Sequence, residues 1–176
     1  GTAVAGSFNQ TETITISDDD TLASTYMYDK VLGDFDTYAS SASSVSLFRG
    51  STSRKKIQYF YSANEMRLAG LKAGYISHLF LYTVGTATTT TFTNLNITVG
   101  TTAASNLNSA FATFTSSSSA YSGNYTTPTT EDFFDFPLAT PLYWDGNSNI
   151  VVQACYDGAS GTTNYLTAVS PTGSTN

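Results

Sequence analysis

Apolar side chains in this chain return every second residue, and that period constrains the fold more than any other feature. Leu95, Ile97 and Val99 alternate with Asn96 and Thr98, and Thr11–Ile16 alternates in the same way. A period of two puts the apolar groups on one face of a strand, whereas a helix needs them every third or fourth position. Lys55–Tyr61, Tyr75–Thr83, Asp132–Phe136 and Ile150–Tyr156 read as further strands, and Ser44–Arg49, Phe111–Phe114 and Asn164–Val169 as shorter ones. Gly100 is expected to end the Leu95–Val99 strand. Pro137 and Pro141 mark an edge or a crossing, because proline cannot donate to a ladder. Asp145-Gly146-Asn147-Ser148-Asn149 is turn chemistry, with Asn149 expected to hold the turn through side-chain bonds to backbone.

One helix signal interrupts this pattern. Ser62-Ala63-Asn64-Glu65 forms a capping box, in which hydroxyl and carboxylate satisfy amides reciprocally. Gly70 supplies a left-handed stop. The helix, near residues 62–69, is too short to be stable alone and must pack on a sheet. Short strands at nearly regular spacing with one short helix predict an all-β chain, a two-sheet β-sandwich or jelly roll.

Composition narrows the class. The 176 residues suit a single domain, 1–176, with 1–50 as N-terminal strands and an extended loop. Ser and Thr number 53, charged residues are 11%, and aromatics reach 14%. A disordered hydroxyl-rich chain would lack the aromatics, since it has no core to fill. The net charge of -6 argues against nucleic acid, whose phosphates call for a basic face. No apolar run approaches the length of a membrane span. One His and one Cys exclude a disulfide framework within the chain and the usual zinc sites. Cys155, in Val151–Cys155, is expected to be an inert core thiol.

Several segments together resemble a known family. Ser53–Met66, Ile76–Leu81, Asn96–Thr102, Ala120–Gly123 and Phe136–Val152 are similar to conserved segments of a β-sandwich domain of large exported proteins of Bacteroidota. Those proteins travel by type IX secretion and sit on the cell surface. The resemblance covers about residues 51–157. It implies a sandwich fold, export and an accessory role, with no catalytic set.

Candidate sites follow from residue chemistry. Trp144, Tyr143 and Tyr125 are candidates for a ligand-stacking platform, against core packing as the plainer role. Asp18, Asp19 and Asp20 offer clustered oxygen ligands for calcium, against a solvated acidic turn; no other cofactor is implied. Asp145, Asn147 and Asn149 start a calcium-loop pattern that then fails at Ile150 and Tyr156. Thr21 and Thr37 follow Asp in patterns similar to Bacteroidota O-glycosylation sites, and Asn9, Asn96 and Asn124 open N-glycan sequons. Asp132 and Asp135 are expected to point to opposite faces of one strand. His78 lies inside an apolar strand, and no serine sits in a nucleophile elbow.

The expected function is therefore non-catalytic: an extracellular structural or adhesive module of a bacterial surface protein or filament. Its partners would be other surface subunits or copies of itself, met through protein contacts or strand edges. The alternative is a carbohydrate-binding module of an exported enzyme, stabilised by calcium.

Overall fold

A computed structural model of the chain describes residues 53–84, 89–108, 110–129, 132–160 and 166–167. The readings placed on Thr11–Ile16, Asp18–Asp20, Ser44–Arg49, Asn9, Thr21 and Thr37 lie outside the described residues. Within them the chain is all-β, with two antiparallel sheets and one short helix.

The larger sheet has the order β1 (Lys55–Tyr61), β6 (Asn149–Tyr156), β3 (Thr91–Thr102), β4 (Ser116–Thr126). The two-residue β7 (Gly158–Ala159) pairs with the start of β3. The smaller sheet has the order β5 (Asp132–Trp144), β2 (Gly74–Val84), β8 (Leu166–Thr167). Register brings the alternating apolar residues into rows: Ile57 faces Ala154, which faces Ile97, and Tyr59 faces Val152, which faces Val99. Ala154, Ile97, Val152 and Val99 of these rows meet Phe134, Phe136, Leu138, Leu142 and Trp144 of β5 in one buried core. Tyr121 and Tyr125 close one side, edge-on to Phe136 and Phe134 respectively.

The helix α1 (Ala63–Leu68) forms as its sequence dictates. Ser62 Oγ accepts the Glu65 amide, and the Glu65 carboxylate accepts the Ser62 amide at 2.8 Å. Gly70 takes φ 87°, and the amides of Gly70 and Leu71 return to the carbonyls of Arg67 and Met66. That is a Schellman stop, which only a residue tolerant of positive φ provides cheaply. Buried Ala63 and Met66 tie the two turns to the core.

Four local expectations change. The strand after β3 is the serine run Ser116–Thr126, and Phe111–Phe114 is not a strand. Hydroxyl side chains there sit beside Tyr121 and Tyr125, so a sequence with little apolar signal still pairs along β3. Gly100 does not end β3, which runs on to Thr102. A Cβ at Gly100 would lie 2.5 Å from Phe114 and 2.8 Å from Ser117, so glycine serves close packing here. The Asp145–Asn149 turn is held by Asp145, whose carboxylate accepts the amides of Asn147 and Ser148. Asn149 instead reaches away, accepting the Ala63 amide and donating to the Ala104 carbonyl. Finally, the strand read at Asp132–Phe136 runs on to Trp144, through both prolines, which the edge position they marked allows.

Residues 103–108 and 110–115 cross the outer face of the larger sheet as a strap. The amide side chain of buried Gln58 pairs with the Ala112 backbone in both directions, at 2.9 and 2.8 Å. Gln58 also donates to Gln153 at 2.9 Å. Thr102 Oγ1 donates to the Thr113 carbonyl, and the Thr115 amide to the Thr101 carbonyl. Val151 is fully buried although it faces away from the core between the sheets, in register with Gly100.

Candidate functional site: the aromatic outer face of the smaller sheet

The geometry of this face starts from one irregularity. Pairing of β2 with β5 runs from Ile76 opposite Leu142 to His78 opposite Pro137, a register shift that inserts extra residues into β5. Side-chain parity along β2 changes there. Ile76, Leu79 and Leu81 pack against the core. Tyr75, His78 and Phe80 turn outward together, although strict alternation would split Tyr75 from the other two. On β5, Phe134, Phe136, Leu142 and Trp144 are buried, while Asp135, Pro137, Pro141 and Tyr143 are exposed.

Rings therefore stand in the open on a strand scaffold. Tyr75 is 73% exposed, Tyr143 55% and Phe80 41%. Tyr75 and Tyr143 are directly cross-strand and meet edge-to-face at 5.3 Å between centroids. Phe80 stacks on His78 at 5.8 Å with planes 9° apart. Nδ1 of His78 lies 2.8 Å from the Asp135 carboxylate, which fixes the imidazole. Ile76, Leu79, Leu81, Leu138 and Leu142 of the two strands face the core instead.

The residues proposed from sequence are distributed differently. Tyr143 belongs to this face. Trp144, one residue on, is 1% exposed, and its indole N–H donates to the Ser148 carbonyl at 2.7 Å. It is a core residue with no face open to a ligand. Tyr125 is half-buried against Tyr121, Phe134 and Phe136. Asp135 is exposed beside His78, while the Asp132 side chain lies outside the described residues. Sequence reasoning missed Tyr75, His78 and Phe80 as one surface. The available signal was the spacing of Ile76, Leu79 and Leu81, three residues and then two, which betrays a bulge.

Other candidates occupy other places. Asn124 is exposed, and its side-chain Oδ1 accepts the Asn94 backbone amide. Asn96 is half-buried in a central strand and accepts from Thr98 Oγ1, the third residue of its own sequon. Cys155 is half-buried and not in the core, because it shares the outward row of Lys56 and Asn96. It borders an open cavity of about 450 Å³ also lined by Arg54, Lys56, Asn94 and Asp157. There Asp157 accepts from Arg54 at 2.9 Å and from Asn94 at 2.8 Å, with Asn94 held at φ 52°. Backbone bonds from Ser148 and Asn147, then the Ser148 hydroxyl, hold the Asp145 carboxyl below its ordinary range. Among the described residues, no three His, Cys, Asp or Glu side chains are grouped to hold a metal. No helix among them is long and apolar enough to cross a membrane.

Compared with family models, curated proteins and solved structures, the chain matches none.

Proposed function

We propose that this chain is a non-catalytic adhesive module of an exported bacterial surface protein, attached to neighbouring molecules through the outer face of the β2–β5 sheet. One observation carries the reading. Tyr75, Phe80 and Tyr143 stand exposed together on paired strands, although the fold has an apolar core in which rings are more stable. Contact residues fixed on strands lose little entropy on binding. The low charge and abundant hydroxyls support an extracellular setting, and the sequence likeness to Bacteroidota surface domains supports type IX export. β4 adds a second contact route. It ends the described order of the larger sheet and carries neither charge nor proline along its eleven residues, although two register shifts interrupt its pairing with β3.

The test is attachment. Particles coated with the full chain should adhere to the cells that produce it, and Tyr75→Ala with Tyr143→Ala should abolish adhesion while thermal unfolding stays unchanged. Protease shaving of intact cells should release the chain. Adhesion indifferent to both substitutions, or a chain protected inside the cell, would overturn the proposal.

A further inference from the structure

We infer that the ligand of this face is a neutral oligosaccharide, held by ring stacking on Tyr75, Tyr143 and Phe80; the inference rests on the adhesive reading and names its partner. An aromatic face carries negative charge density above its plane. The apolar side of a pyranose presents C–H bonds, whose slightly positive hydrogens are attracted to that density. Tyr75 and Phe80 are separated by about 15 Å along the strand, at roughly 3.3 Å per residue with a bulge between. That span suits several sugar units in a row better than one.

The polar groups fit the same ligand. His78 lies between the Tyr75–Tyr143 pair and Phe80 along β2, and Asp135, directly across from Phe80, is bonded to the imidazole at 2.8 Å. With Nδ1–H donating to Asp135, the imidazole Nε2 and the second Asp135 oxygen offer acceptors to sugar hydroxyls, and the tyrosine hydroxyls add two groups that can donate. A protein partner is favoured less. Protein interfaces gather Met and Arg with aromatics around a water-free centre. The outward residues named here include neither, and Ile76, Leu79, Leu81, Leu138 and Leu142 pack on the core side. Spaced rings with hydrogen-bonding groups between them match a ligand that is itself alternately apolar and hydroxylated.

The experiment titrates the full chain with neutral hexasaccharides of β-linked glucose, xylose, mannose and N-acetylglucosamine, and of α-linked glucose, following tyrosine fluorescence and calorimetry. At least one should bind, and Tyr75→Ala or Tyr143→Ala should each weaken it roughly tenfold or more. Phe111→Ala removes an exposed ring elsewhere and should leave binding unchanged. Thermal unfolding of each variant checks that the fold is intact. If no hexasaccharide binds at millimolar concentration, or if binding ignores both tyrosines, the sugar assignment is wrong. Should the same variants still abolish cell adhesion, the adhesive reading stands without it and the partner is a protein; should adhesion survive too, both fall.

Discussion

Replacing Gln58 with Met tests how much of the hold on the strap over the larger sheet comes from one side-chain amide. The substitution keeps length and approximate volume but removes every polar atom of the side chain. Three hydrogen bonds go: two with the Ala112 backbone and one to Gln153. Each contributes about 1 kcal/mol net, and a buried partner left without a mate costs about 1–3 kcal/mol. Ala112 and Gln153 are only half-buried, so water recovers part of that cost. A loss of about 2–3 kcal/mol follows, which is roughly 4–12 °C in melting temperature for a chain of this size. Urea unfolding measures the total, and amide exchange at Ala112 reports the strap locally. Exchange at Ala112 should accelerate while amides of β3 and β6 lose protection only by the global amount. Gln58→Glu should be at least as damaging, because a carboxylate cannot donate to the Ala112 carbonyl or to Gln153. If Gln58→Met unfolds within about 0.5 kcal/mol of the parent chain, the amide does not hold the strap and the reasoning is refuted.

Two further outcomes are expected. Gly100→Ala places a methyl group against the Phe114 ring, the Ser116 carbonyl and the Ser117 Cβ, and should destabilise by about 1–3 kcal/mol in urea unfolding. Phe114→Ala in the same chain should recover part of that loss, and an additive pair would contradict the packing account. Burial, and then the nearby Glu65 carboxylate, push Tyr61 up to about 12, from 10.0. Its folded state keeps the proton longer than the unfolded state, so the contribution is full below pH 10 and disappears as pH rises towards 12. Tyr61→Phe should flatten stability across that window, and absorbance titration of phenolate in the two chains should differ by one late-ionising group.

Much of the fold was legible because its signals are local. Alternation in Leu95–Val99 and the run Ile150–Tyr156 located two central strands, and the capping box with Gly70 fixed both ends of α1 to within a residue. The serine strand β4 was not legible, since its stability comes from pairing with β3 and from Tyr121 and Tyr125 packing on β5. Proline at 137 and 141 pointed to an edge, which β5 is. Asn149 was read as a turn residue because its neighbours in sequence form a turn, yet its side chain answers to Ala63 and Ala104.

The candidate site divides along the same line. Tyr143 and Trp144 are adjacent and equally eligible for stacking by residue type. The two faces of β5 then separate them, one into solvent and one into the core.

Residue types and their short-range order settled that this chain makes strands and where α1 starts and stops. Those properties depend on contacts within a few positions. Which rings face outward was settled by the three-dimensional fold alone. A register shift between β2 and β5 reverses side-chain parity, and register is set by how two distant strands pack their apolar faces against a common core.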